Sequence, residues 1–256
     1  MATTNSDFEG SLGGLSFYKR NGKTVVRKKG GPSAEQIKHS KSCQAIRDSN
    51  QEFGGASHVC AQIRRGIGKY WKEYSDMNLI GNLTGVLKKI IHAGKGARGI
   101  RVLDIAAHRQ RLEGFEFNAD CAFESRFKNT LTISISEDRN TAVLQTAFKP
   151  ATDIAAPADA TSFQLLYTFM RVPAYGVHAT TGRYVPLHDA AFVSGQVYSG
   201  FFYTDFAMRV KLSLPVTLPV SSAEQTALLC IVGIAFYKGT KRMGKEVCAM
   251  QVVQVG

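Results

Sequence analysis

The chain has 256 residues, 44% of them apolar and 20% charged, enough apolar side chain for a packed core and too little charge for a wholly disordered chain. Its formal net charge is +12, with 20 Lys/Arg against 9 Asp/Glu in residues 1–114 (+11) and 12 against 11 in residues 115–256 (+1), so the positive excess belongs to the front of the molecule. Five scattered cysteines, Cys43, Cys60, Cys121, Cys230 and Cys248, show neither metal-ligand nor redox spacing and argue against a disulfide framework.

Residues 1–14 read as a flexible arm ending in small residues. No basic stretch there precedes an apolar run, and no apolar run is long enough to span a bilayer, so the expected location is the cytoplasm, with no membrane partner. LSFYKRNGKTVVRKK then sets Asn21-Gly22 between two strand-like runs, the strongest short signal for a β-hairpin. Gly30-Gly31-Pro32 ends the second run, and Ser33 with Gln36 forms a capping box that opens a helix. Ile46, Phe53, Cys60, Ile63, Ile67, Trp71 and Tyr74 fall at helical spacing, with a break expected at Gly54-Gly55. A second amphipathic helix presents Leu83, Val86, Leu87, Ile90 and Ile91, and a short one is expected over 104–112. Residues 94–99 (GKGARG) read as a flexible basic connector.

Beyond Gly114 the period changes to two. TLTISIS, AVLQTAFKP, SFQLLYTFMRVP, FAMRVKLSLPV, TALLCIVGIAFYK and EVCAMQVVQV alternate or run apolar between turn residues, the pattern of an antiparallel β-sandwich. Residues 174–206 hold a long loop or further strands. The fold expected is α+β: a basic arm and hairpin (1–31), a helical segment (32–114) and a β-sandwich (115–256).

No constellation for catalysis emerges. Gly22-Lys23-Thr24 resembles the end of a phosphate-binding loop, but Phe17 occupies the position where the first glycine is needed. His178 and His188, with Asp189 nearby, are the one pairing that a hydrolase could use. Glu137-Asp138 reads as a hairpin turn, and no Gly-x-Ser-x-Gly elbow is present. No cofactor, metal or small-molecule substrate is expected. The residues that stand out are basic and aromatic. Phe17, Tyr18, Lys19, Arg20, Lys23, Arg27, Lys28 and Lys29 share the hairpin, Arg64, Arg65, Lys69 and Lys72 share a helix, and Lys88, Lys89, Lys95, Arg98 and Arg101 add to the charge.

The opening GSLGGLSFYKRNGKTVVR, the polar helix PSAEQIKHSKS, and the later segments LEGFEFN (112–118), DIAAPADATSFQLL (153–166) and LLCIVGIAFYKG (228–239) resemble, in order, an uncharacterised family of Bacteroidota proteins. Ser162 and Lys238 depart from that pattern, standing where His and Gln are expected. The resemblance implies the same hairpin-led fold and no catalytic residue. The expected function is that of a non-catalytic structural or interaction protein, self-associating or binding another protein through the basic front segment. Nonspecific nucleic-acid binding by the same surface is the alternative, and a hydrolase built on 174–206 the third.

Overall fold

The two halves of KRNGK fold back on each other: in a computed structural model of the chain, β3 (Leu15–Arg20) pairs with β4 (Lys23–Lys28), Arg20 opposite Lys23. The structure describes residues 2–4, 8–20, 22–28, 30–187, 191–220 and 226–256; Asn21 and Lys29 lie outside them. Within the expected flexible arm, residues 2–4 and 10–12 are instead strand. β1 (Ala2–Thr4) pairs with β4 and β2 (Gly10–Leu12) with β3, giving the order β1-β4-β3-β2. The correction has a simple cause: a two-stranded ribbon leaves most of its backbone groups to water, and added strands satisfy them. α1 (Ala34–His39) starts with the expected capping box: Gln36 N–H donates to Ser33 Oγ (3.2 Å) and Ser33 N–H to Gln36 Oε1 (2.8 Å).

Compactness divides the chain into Met1–Arg47 and Asp48–Gly256, whereas pattern and charge mark 31/32 and 114/115. α2 (Gln44–Gly66) runs through Gly54-Gly55 without the expected break. A Cβ on Gly55 would lie 2.5 Å from the Tyr184 ring, so this glycine serves close packing on the helix face. A short 3-10 segment (Lys69–Tyr74) leads to α3 (Leu79–Ala93), which buries Leu83, Leu87, Ile90 and Ile91. Asp104 Oδ1 accepts the Ala107 N–H (3.0 Å) at the start of the expected short helix, a 3-10 turn over Ala106–Arg111. α4 (Phe123–Arg126) follows.

The period-two segments form strands as expected: β5 (Thr132–Ile135), β6 (Thr141–Phe148), then, after α5 (Pro150–Asp153), β7 (Ser162–Pro173). Residues 174–206 hold four more, β8 (Tyr175–Val177), β9 (Tyr184–Pro186), β10 (Val193–Tyr198) and β11 (Phe202–Tyr203). β12 (Val210–Thr217), β13 (Thr226–Lys238), β14 (Lys241–Arg242) and β15 (Ala249–Val255) complete the chain. All the pairings are antiparallel. A six-stranded sheet is built around the β7–β13 pair, and a three-stranded sheet has the order β12-β6-β5.

β7 and β13 are buried on both faces, which is why their sequences run apolar without polar alternation. Phe163, Leu165, Tyr167 and Phe169 of β7, with Leu228, Cys230, Val232, Ile234 and Phe236 of β13, face the three-stranded sheet through Leu144, Phe148, Leu214 and Val216. The intervening Leu166, Met170, Val172, Leu229 and Ile231 face Val59, Ile63, Leu83, Leu87 and Ile90. The six-stranded sheet therefore lies between two cores, one shared with α2 and α3 and the other with the three-stranded sheet. Each fully buried aliphatic side chain in them contributes roughly 1.5–3 kcal/mol.

Candidate functional site

The register of the N-terminal sheet assigns each residue to a face, because cross-strand partners point the same way and neighbours along a strand point oppositely. Leu12, Leu15 and Lys28 form one cross-strand row, and Gly10, Phe17 and Val26 the next, with Lys19 beyond. The bare Gly10 lets the Phe8 ring fold edge-on to Phe17, centroids 5.2 Å apart. Leu12 is 66% exposed, Phe8 44% and Leu15 38%, so this face is an open apolar surface. The other face carries Ser11, Ser16 and Arg27 in one row, Tyr18 and Val25 in the next, and Arg20 opposite Lys23.

The basic, aromatic hairpin surface read from the sequence is thus two surfaces. Phe17 stands with Lys19 and Lys28 on the apolar side. Tyr18 stands with Arg20, Lys23 and Arg27 on the basic side. Lys19 lies 3.8 Å from Glu9, both exposed. Among the described residues no ion pair neutralises Arg20, Lys23, Arg27 or Lys28.

The second basic group belongs to the larger unit. The Arg64 guanidinium lies 4.7 Å and the Lys72 ammonium 5.8 Å from the Trp71 ring centre, and Lys69 lies 4.9 Å from that of Tyr70. Each contact is worth about 0.5–1 kcal/mol at an exposed site. Arg65 is exposed. Three of the four cations are therefore already seated on the protein's own aromatic rings. Just beyond them Arg242 pairs with Glu73 (2.5 Å) and covers the Tyr74 ring at 4.4 Å. Burial pushes the hydroxyls of Tyr74, Tyr198 and Tyr237 up, away from any acid–base range. A cleft of about 500 Å³ above this cluster is lined by Tyr70, Glu73, Tyr198, Phe201, Tyr237 and Arg242.

The GKGARG connector is clamped. Gly99 N–H (2.8 Å) and Arg101 Nη1 (3.3 Å) both donate to Glu52 Oε1, whose carboxylate is 1% exposed and also lies 3.3 Å from His92 Nε2. The glycine-rich loop thus cradles an anion, and that anion is the chain's own carboxylate. Asp138 likewise serves a turn. Ser136 Oγ and the Asn140 N–H groups donate to it and hold its pKa below the ordinary carboxylate range. His178 is exposed and its Nδ1 accepts the Thr181 N–H (3.3 Å); His188 and Asp189 lie outside the described residues. All five cysteines are buried and unpaired, and burial pushes the Cys230 thiol up to about 11 and raises that of Cys248. Among the described residues no three His, Cys, Asp or Glu side chains gather as metal ligands, and no helix is long and apolar enough to cross a membrane.

Glu52, Glu73 and Arg242, absent from the residues singled out by sequence, hold their positions through partners from 40 to 169 residues away in the chain, a separation that no local pattern encodes. Comparison of the chain with protein-family models, with curated proteins and with solved structures finds no match.

Proposed function

We propose that the chain is a non-catalytic structural protein that self-associates through its N-terminal sheet. One observation carries the reading: the unit Met1–Arg47 exposes Phe8, Leu12 and Leu15 on one sheet face, yet among its described residues only Thr24, Val25 and Cys43 are buried. A unit of that size with so small a core is marginal alone and gains stability from whatever covers its apolar face. The outermost strand, β2, pairs with β3 on one side, leaving its other edge to accept a strand. A second copy fits the first requirement, because a two-fold axis between two such sheets lays Leu12 and Leu15 against their own counterparts, while the β2 edge stays free for a further strand.

The test is the solution mass of the full chain, of a chain lacking residues 1–31, and of Leu12→Glu, each by sedimentation velocity across a concentration series. The reading expects an oligomer for the full chain and a monomer for both variants, with the far-UV spectrum of Leu12→Glu unchanged. A full chain that sediments as a monomer, or a Leu12→Glu oligomer, overturns it.

A second reading rests on the other face, where Arg20, Lys23 and Arg27 surround Tyr18 with no described acidic partner. Three cations beside one aromatic ring suit a phosphate backbone and a stacked base.

A further inference from the structure

The clearest unassigned site lies on the six-stranded sheet, where β11, β7 and β13 run side by side. Two cross-strand rows meet there. Phe202, Phe163 and Phe236 are paired across the three strands and all point into the core, Phe163 and Phe202 with ring centroids 5.5 Å apart. The next row, Tyr203, Ser162 and Tyr237, points the opposite way. It is large, small, large, so the short serine leaves a slot between two tyrosines whose Cα atoms stand about 10 Å apart across two strand spacings. Phe201, two residues before Tyr203, projects to the same side and meets Tyr237 edge-on, centroids 4.9 Å apart at 82°. The result is a cavity of about 440 Å³ lined by Phe201, Tyr203, Tyr237, Thr161, Ser162 and the Gly239-Thr240 turn. Its size falls in the ordinary range for small-ligand sites.

Phe201 is 60% and Tyr203 70% exposed, an expensive arrangement for aromatic rings on an otherwise packed sheet. The buried row of Phe202, Phe163 and Phe236 anchors the backbone that carries Tyr203 and Tyr237. Gly239, with φ +60°, has open space where a side chain would project, so a ligand can approach the turn backbone closely. Among the described residues the Ser162 hydroxyl makes no hydrogen bond within the protein, while Thr161 Oγ1 accepts the Gly239 N–H (2.9 Å). No lining residue is Asp, Glu, Lys, Arg or His, and the adjoining Lys238 lies 3.2 Å from Asp159.

From this geometry we infer that the Phe201–Tyr203–Tyr237 slot binds a neutral pyranose ring. The aromatic faces carry partial negative charge and attract the C–H face of a sugar. The Ser162 and Thr240 hydroxyls supply hydrogen bonds to its hydroxyl groups, and the absence of charge disfavours acidic sugars and phosphates. A nucleobase has a comparable flat face, so an oligonucleotide is the control that separates the two ligand classes.

The experiment is saturation-transfer difference NMR of the full chain with the methyl glycosides of glucose, galactose, mannose and N-acetylglucosamine at millimolar concentration, and with an eight-residue oligothymidylate. Saturation of the C–H protons of at least one glycoside is expected. In Phe201→Ala and Tyr203→Ala, both exposed positions where folding is preserved and checked by circular dichroism, the affinity should fall at least fivefold. Three outcomes overturn the inference: no glycoside is saturated; the two variants bind as the parent does; or the oligothymidylate is saturated and the glycosides are not, which would make the slot a base-stacking site.

Discussion

Arg171 offers the sharpest test of how the sandwich is held. It sits on β7 with no solvent exposure, and among the described residues no carboxylate pairs with it. Its guanidinium donates to Pro219 O (3.1 Å), Arg139 O (3.0 Å) and Asn140 Oδ1 (2.6 Å), tying the β5–β6 turn and the end of β12 to the central sheet. Burial, and then the nearby charge of Arg139, lower its pKa, so the charge is held at a cost. Arg171→Met keeps most of the volume and removes both the charge and its three bonds. Three charge-assisted bonds at about 1.5 kcal/mol each sum to roughly 4–5 kcal/mol. Relief from burying an unpaired cation offsets part of this, several kcal/mol in unfavourable cases. The Arg139 and Pro219 carbonyls lie near the surface and can turn to water; Asn140 is buried and cannot. The net expectation is a loss of about 2 kcal/mol, read as a lower urea midpoint with an unchanged slope, and a melting temperature lower by roughly 4–8 °C. Hydrogen exchange should quicken first at residues 136–141. If Arg171→Met proves as stable as the parent, desolvation outweighs the clamp and the account of this residue is wrong.

Glu116 should make stability fall as pH rises. Burial, ahead of an opposing Phe123 N–H bond, pushes its pKa up to about 7, with Glu124 adding to the shift. The folded state therefore favours the protonated acid: its contribution is complete below about pH 4.5 and is lost as pH passes 7. With the group partly in contact with solvent, about 1–2 kcal/mol is at stake, and Glu116→Gln should flatten the stability profile over pH 5–8. Glu52→Ala strands the Gly99 N–H and Arg101 and is expected to lower stability by about 3 kcal/mol in urea titrations, with exchange protection lost at 94–101. On the second reading of the N-terminal sheet, replacing Arg20, Lys23 and Arg27 together by Gln should reduce the salt dependence of duplex DNA binding by a slope of about 3, measured by anisotropy between low and moderate salt. An unchanged slope removes that face as a nucleic-acid surface.

Strand positions were the most legible part of the sequence because period-two alternation is a local property. The capping box at Ser33 and Gln36 is local too. The register of α2 was not. Hydropathy chose Ile46 and Phe53 for the buried face, but the structure leaves both exposed and encloses Gly55 and Ala56. Small residues were selected there for contact with Tyr184, and hydropathy scales do not register that choice. Helical periodicity also says that a face is covered without saying by what. Here the cover for α2 and α3 is one face of the six-stranded sheet, whose other face packs on the three-stranded sheet. The splitting of the hairpin's basic residues over two faces, by contrast, was readable in advance: consecutive strand residues such as Phe17 and Tyr18 must point oppositely. What stayed hidden were Glu52 and Arg242, polar groups whose neighbours come from distant segments, and the Tyr203–Ser162–Tyr237 row, which exists only once the register of three strands is known.

The distribution of aromatic residues makes the self-association reading separable from ordinary stability. The single tryptophan, Trp71, belongs to the larger unit, where Arg64 and Lys72 lie against it, so its fluorescence follows Asp48–Gly256 alone. Backbone ellipticity follows both units. If the N-terminal sheet is stabilised by a second copy, its unfolding is linked to protein concentration by mass action, whereas the larger core, closed on itself, is not. In urea the ellipticity curve should then show an early component that moves to higher denaturant as the protein is concentrated, while the Trp71 curve stays fixed. The early component should vanish in the chain lacking residues 1–31 without displacing the Trp71 transition. Coincident curves at every concentration would mean that the sheet draws its stability from its own chain, and the exposed Leu12 and Leu15 would then require another explanation.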